Sequence, residues 1–254
     1  MKTRKICIVT GGSGFLGESI ARELVSEGRY VISLDKSIPN YELKNFLHFD
    51  CDIRDRIKVR EILKSNIHET DYLELLINNA AIDAKVNELT KPIQEFANDN
   101  FMSLQLELEV AIQGSLIITQ ECLPYFRGQN KSIIFIGSDL SVVAPDQRIY
   151  RDNSGKQTYR KPISYSIVKH ATLGIVKYLA VELAPLEIRV NSVSPGPIAH
   201  EQPLFVQQNI QERVPLGRLG TRRDVVGAIK FLAGESSNYI TGQNIQVDGG
   251  RTIW

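Results

Sequence analysis

The chain has 254 residues, 43% of them hydrophobic, and a formal net charge of +1. That length and composition suit one α/β core. The near balance of charge excludes the broad basic field of a nucleic-acid-binding surface and the acidic block of a solvated tail. Cys7, Cys51 and Cys122 are odd in number and far apart, so they imply neither a disulfide framework nor a metal site. His48 and His68 lack metal-ligand spacing, and no metal is expected. The start is basic, but the apolar run Ile6 to Val9 is too short for a signal-peptide core, and no apolar stretch reaches bilayer-spanning length. A cytoplasmic protein with no membrane and no nucleic-acid partner is expected.

In chain order, the strand-like runs are Lys5–Thr10, Tyr30–Leu34, Phe46–Phe49, Leu73–Ile77, Ser132–Ile136, Ile188–Val193 and Asn244–Val247. Short, continuously apolar, β-branched runs suit strands buried on both faces. Helical periodicity fills the intervals at Gly14–Glu27, Asp55–Ser65, Leu104–Phe126, Ile163–Leu183 and Arg222–Ala233. Strand–helix alternation predicts a parallel sheet of about seven strands with helices on both faces. One segment breaks the rhythm. Asp139 to Lys161 is polar and turn-rich, and carries Arg148, Tyr150, Arg151, Lys156, Tyr159, Arg160 and Lys161 against Asp146 and Asp152. A loop that long in a compact domain is uncommon and often functional. It leaves the sheet at a carboxyl strand end, where ligands bind. Its cations suit a phosphate or carboxylate and its tyrosines a sugar ring; a solvated or subunit-contact loop is the plainer alternative.

The first strand runs into Thr10-Gly11-Gly12-Ser13-Gly14-Phe15-Leu16-Gly17. Gly12, Gly14 and Gly17 form G-x-G-x-x-G between a strand and a helix. There glycine allows a tight turn and close approach to a pyrophosphate, and the following helix offers its free N–H groups. Asp35 closes the second strand about 20 residues on, as the dinucleotide fingerprint requires. A carboxylate there accepts from ribose hydroxyls and repels the 2′-phosphate of NADP, so NAD is expected; Lys36 and Arg54 nearby oppose that preference. The fold expected is therefore a Rossmann-type, doubly wound, three-layer α/β/α single domain over residues 1–254.

Tyr165 and Lys169 stand four apart at the start of a helix, on one face. A phenol titrates near pH 10. A neighbouring ammonium stabilises the phenolate, which suits the tyrosine to proton transfer near neutral pH.

In these segments the chain resembles the short-chain dehydrogenase/reductase family, from Thr10 to Gly250. The resemblance extends to Cys51-Asp52-Ile53, Asn78-Asn79-Ala80-Ala81, Ile136-Gly137-Ser138, Arg189 to Ile198 with its Pro195-Gly196 turn, Pro215 to Gly220, and Ile240 to Gly250. It implies a reversible NAD-linked oxidation of a secondary alcohol or reduction of a ketone. Tyr165 would move the hydroxyl proton, Ser138 would hold the reacting oxygen, and Lys169 would hold the nicotinamide ribose and lower the tyrosine pKa. Ser141 and Asp139 compete for the place of Ser138. The cofactor contacts it implies are Gly11, Ser13, Gly14, Phe15, Leu16, Asp35, Asp52, Ile53, Asn79, Ala80, Tyr165, Lys169, Pro195, Gly196 and Ile198. A homotetramer or homodimer is implied, with the helices at Leu104–Phe126 and Ile163–Leu183 as contact surfaces.

Three departures from the family pattern bear on substrate. Phe15 stands where compact members place the second glycine; the Gly14 spacing resembles the sugar-nucleotide branch. Ala111 stands where the family often has the Asn of a proton relay, leaving Gln113 as a substitute. Ser138 and Tyr165 are 165 − 138 = 27 positions apart because of the insertion. Loop and glycine spacing together resemble dehydrogenases of bacterial surface-sugar and flagellin-modification pathways, so an anionic or sugar-derived small molecule is expected. Two alternatives remain open: a sugar-nucleotide epimerase or dehydratase that retains NAD, and a dinucleotide-binding regulator without turnover, which Ala111 motivates. His200 is an exposed loop residue or a substrate-site residue. Arg213 and Arg218 meet either an anion or a salt-bridge partner.

Overall fold

A computed structural model describes residues 3–82, 96–98 and 101–254. Seven strands form one sheet: β1 Lys5–Thr10, β2 Tyr30–Asp35, β3 Phe46–Asp50, β4 Tyr72–Asn78, β5 Lys131–Ile136, β6 Ile188–Pro195 and β7 Asn244–Val247. Their order is β3-β2-β1-β4-β5-β6-β7, and every neighbouring pair is parallel. The fold is the doubly wound Rossmann type that the alternation of elements predicts.

Side chains divide between the two faces with the strand period of two. On β1, Ile6 and Ile8 join Val59, Leu63, Ile118 and Val176 in one core, while Cys7 and Val9 join Ile20, Leu24, Val225 and Ile229 in the other. Helices α2 (Arg56–Asn66), α4 (Ser115–Cys122) and α5 (Ile163–Glu182) therefore cover one face, and α1 (Phe15–Ser26) and α7 (Arg222–Ala233) the other. Strand order reverses between β1 and β4, which opens a crevice at the carboxyl ends of the strands.

The helix expected over Leu104–Phe126 is built in pieces: α3 (Met102–Leu108), a π-helical segment Glu109–Gly114, α4, and a closing 3-10 turn Leu123–Tyr125. The π segment passes close over the third strand's exit. A Cβ on Gly114 would come within 2.7 Å of the Ile53 side chain. Periodicity did not reveal this interruption, because a single widened turn carries no composition signal of its own. Helix α6 (Leu204–Gln211) was not expected either, although Val206 and Ile210 carry an i, i+4 apolar signal.

The amino-terminal edge is locked by one carboxylate. The Asp71 oxygens accept from the Arg4 backbone N–H at 3.2 Å, the Arg4 Nε at 3.0 Å and the His68 N–H at 2.9 Å. The Arg4 guanidinium holds the Asp71 carboxyl at about 2, below its ordinary value. A carboxyl lowered on folding stabilises fully above the unfolded-state value of about 4, and that stability is lost as pH falls through the folded value. Urea denaturation should show wild type more stable than Asp71→Asn at pH 6, with the gap closing as pH falls towards 2. A constant gap would rule out the ion pair as its source.

Candidate active site

The crevice is a cleft of about 830 Å³ that runs from Asp35, Lys36 and Arg54 at one end to Tyr165, Ile149 and Val206 at the other. That is within the range of small-molecule and cofactor sites.

Glycine sets the shape of its floor. Gly11 adopts φ +67°, and a Cβ there would lie 2.9 Å from the Ala80 Cα. A Cβ on Gly17 would lie 2.0 Å from the Gly11 carbonyl oxygen, so helix α1 can start against the turn only without one. A Cβ on Gly14 would meet nothing nearer than that same oxygen at 3.3 Å, so this side of the turn is open. Gly14 caps α1 with no side-chain hydrogen bond, leaving the helix's first N–H groups to the cleft. This cradle fits a dinucleotide pyrophosphate.

Asp35 ends β2 beside the turn, its carboxylate accepting from the Ser13 N–H and the Ser37 N–H, both at 2.9 Å. Asn79 does not point its amide at the cleft as a free donor. It donates to the Thr10 and Gly11 carbonyls at 3.1 and 3.0 Å and ties β4 to the glycine turn. Its role is to hold the cradle, while Ala80 forms the wall.

At the adenosine end, the Arg54 guanidinium holds the Asp52 carboxyl at about 2. Arg54 also reaches Glu109 on the π segment at 2.7 Å, and the Lys36 ammonium sits 3.7 Å from Asp52. The two cations that oppose Asp35's preference are thus both turned to carboxylates.

Tyr165, Lys169 and Ser138 all line the cleft. Lys169 is buried, and its Nζ donates to the Ile136 carbonyl at 2.9 Å, at the end of β5. It lies 5.7 Å from the Tyr165 ring centroid. The Lys161 Nζ is nearer, 3.7 Å over the same ring. Lys161 is presented by Gln147, whose amide accepts from the Lys161 N–H at 2.9 Å and donates to its carbonyl at 2.9 Å. Two ammonium groups thus flank one phenol ring.

The rivals of Ser138 separate. Ser141 is buried, and its Oγ accepts from the Ser138 N–H at 3.0 Å in a capping box; it does not line the cleft. Asp139 does line it, buried to 5% exposure, and its Oδ1 accepts from the Ser138 hydroxyl at 2.9 Å. Asp139 pairs in turn with Arg251. Burial pushes the Asp139 carboxyl above its ordinary value, against the pull of that guanidinium. Sequence reading missed Arg251: nothing local marks a residue 112 positions from its partner.

The insertion is not a solvated loop. It forms a 3-10 turn Asp139–Ser141, a second one Gln147–Tyr150, and a bridge between Arg151 and Gln157. Ile149 and Tyr150 pack with Val206, Ile210, Val214 and Leu219 in a third small core, with Tyr159 against it. The Asn209 amide donates to the Ile149 and Arg151 carbonyls, both at 3.0 Å. The insertion and α6 therefore form one wall of the cleft. Of its seven basic and aromatic residues, Tyr150 and Lys161 line the cleft. Arg148 pairs with Asp146, which also accepts from Arg213, and Arg218 pairs with Asp224, so both outlying arginines take the salt-bridge reading. Ala111 lies in the π segment; Gln113 is exposed and outside the cleft lining. Pro195, Gly196 and Ile198 line the cleft, and His200 stacks on Phe15 with ring centroids 4.0 Å apart.

A family profile described as enoyl-(acyl carrier protein) reductase matches residues 14–252. The 3-oxoacyl-[acyl-carrier-protein] reductase FabG of Thermotoga maritima is 28% identical over 98% of each chain. Its namesake from Buchnera aphidicola is 30% identical over 97% of each. A short chain dehydrogenase from Leptospira borgpetersenii, solved with bound NAD+, superposes with TM-score 0.84 at 30% identity, covering 98% of this chain and 93% of that one. The aldohexose dehydrogenase of Thermoplasma acidophilum superposes with TM-score 0.81 at 26% identity, covering 99% and 95%.

Proposed function

This chain belongs to the short-chain dehydrogenase/reductase family, oxidoreductases that act on CH–OH groups with a nicotinamide dinucleotide, and from that premise we propose that it interconverts a sugar-derived secondary alcohol and its ketone using NAD(H). The observation that carries the substrate reading is the polar wall beside Tyr165. The Asp139–Arg251 pair, Lys161 and Tyr150 all face the cleft there. Carboxylate, cation and aromatic face are the groups that hold a polyhydroxylated or anionic ring. The similar aldohexose dehydrogenase agrees with that class.

When bound, the nicotinamide supplies the hydride acceptor or donor. The residues of the chain supply the rest. Asp35 sits where it accepts from ribose hydroxyls and repels a 2′-phosphate, and with Lys36 and Arg54 drawn to carboxylates NAD is favoured. Ser138 holds the reacting oxygen, and Tyr165 takes or returns the hydroxyl proton at its phenol oxygen. Lys161 and Lys169 favour the phenolate by their charge.

The first test is fluorescence titration with NADH and NADPH. Wild type should bind NADH tightly and NADPH weakly, and Asp35→Ala should narrow that gap by roughly tenfold, the effect of one charge-assisted contact. Better binding of NADPH would refute the assignment of Asp35. A panel of sugar-derived ketones and alcohols would then be set against acetoacetyl-coenzyme A and simple ketones. Turnover of the latter alone would end the sugar reading.

An assembly through the Leu104–Phe126 stretch, which begins within α3, and α5 belongs to the same proposal. Leu106, Ile163, Ile167, Tyr178 and Val181 are exposed apolar residues on these helices. Sedimentation should give a dimer or tetramer. Among the described residues no helix is long and apolar enough to cross a membrane. The three cysteines are buried and unpaired, which suits the reducing cytoplasm.

A further inference from the structure

Three separate segments meet on the open side of the glycine turn. Phe15 is the first residue of α1, directly after Gly14. Its ring stacks with His200, centroids 4.0 Å apart and planes at 26°. Arg222 holds its guanidinium carbon 4.9 Å from the same ring centroid. Arg222 is the first residue of α7, where the helix dipole disfavours a cation. It is held there by the Phe15 carbonyl at 3.4 Å and by Glu18 at 3.5 Å.

The His200 and Arg222 segments are tied together. The Ala199 N–H donates to the Gly220 carbonyl at 2.8 Å, and the Gly220 N–H to the Pro197 carbonyl at 2.9 Å. Gln202 fixes the loop further, accepting from the His200 N–H at 2.8 Å and donating to the Ile198 carbonyl at 2.7 Å. Both partners of Phe15 thus come from one braced unit, the loop after β6 and the start of α7. The stack joins that unit to the turn, and both of its rings line the same cleft as Asp35 and Tyr165. An extended dinucleotide that serves both ends must pass along this turn.

We propose that Phe15, His200 and Arg222 form a clasp over the glycine turn that retains a bound dinucleotide, so that release requires the ring stack to part. The proposal rests on the dinucleotide reading of the cleft. A bulky ring where a second glycine would leave the turn bare is then the device that slows release. The Arg222 guanidinium also brings positive charge to the ring that begins α1.

The test is stopped-flow release of NADH from wild type, His200→Ala, Phe15→Leu and the double variant, with excess NAD+ as the displacing ligand. His200 lies on an exposed loop, so its variant keeps the fold. Each single change should speed release by about tenfold, the strength of an aromatic pair of this kind, with the association rate unchanged or faster. The double variant should release no faster than the faster single one, because both changes open the same stack. Release at the wild-type rate in both single variants, or rate increases that multiply in the double, would overturn the clasp while leaving the cofactor site intact. If wild type bound no NADH, the dinucleotide reading would fail and the clasp with it.

Discussion

Tyr165→Phe is expected to lower turnover by about 10²–10⁴-fold, the contribution of a positioned proton-transfer group, while NADH binding stays at the wild-type level. The substitution removes one oxygen and keeps the ring. The Lys161 ammonium 3.7 Å above it and Lys169 at 5.7 Å therefore keep their places. The cradle of Gly11, Gly17 and Asn79 lies on other elements and is untouched. The predicted signature is a fall in kcat without loss of cofactor affinity, read by steady-state kinetics on the best ketone of the sugar panel together with the NADH titration. Near wild-type turnover would remove Tyr165 from the reaction. A parallel loss of NADH binding would show the residue to be part of the cofactor site and leave its role in proton transfer unsupported.

Arg251→Ala should be the most damaging single change to stability near the site, about 3–5 kcal/mol, because it leaves a buried charge without its partner. Asp139 and Arg251 line the cleft with side chains only 7% and 8% exposed, so the pair is largely shielded from water. Burial already raises the Asp139 carboxyl in the presence of Arg251, and removing that cation raises it further. A carboxyl raised on folding leaves stability intact below the unfolded-state value and costs stability as pH rises through the folded value. The deficit of Arg251→Ala should therefore be largest at pH 7 and shrink as pH falls towards about 4. Adding Asp139→Asn should restore much of the loss at pH 7 by removing the stranded charge. Urea denaturation at pH 5 and 7 reads both effects. A loss below about 1 kcal/mol that is equal at both pH values would mean that the pair is solvated. Since Asp139 also accepts from the Ser138 hydroxyl, the same variant should lower kcat through a misplaced serine.

Much of the dinucleotide half of the cleft was legible in the sequence, because its signals are local. The glycine turn, the N–H end of α1 and Asp35 lie within one strand–helix–strand unit, and Tyr165 and Lys169 lie within one helical turn. The seven strands were legible because strands buried on both faces must be continuously apolar. The role of Asn79 was legible only in part. Its position after β4 marks it, but its amide turns inward to Thr10 and Gly11 and holds the turn from behind.

By itself, then, the sequence determined the seven strands, most of the helices, the parallel doubly wound topology and the candidate proton-transfer pair, since spacing along one chain sets which side chains share a strand face or a helix turn. Tertiary structure decided everything that depends on segments far apart in the chain. It folded the insertion onto α6 as a wall, brought Arg251 to Asp139 across 112 positions, and brought His200 and Arg222 onto the ring of Phe15. Periodicity carries no record of such meetings. They follow from which loops emerge at the same end of a parallel sheet, and the crossover order of the strands fixes that only when the sheet is assembled.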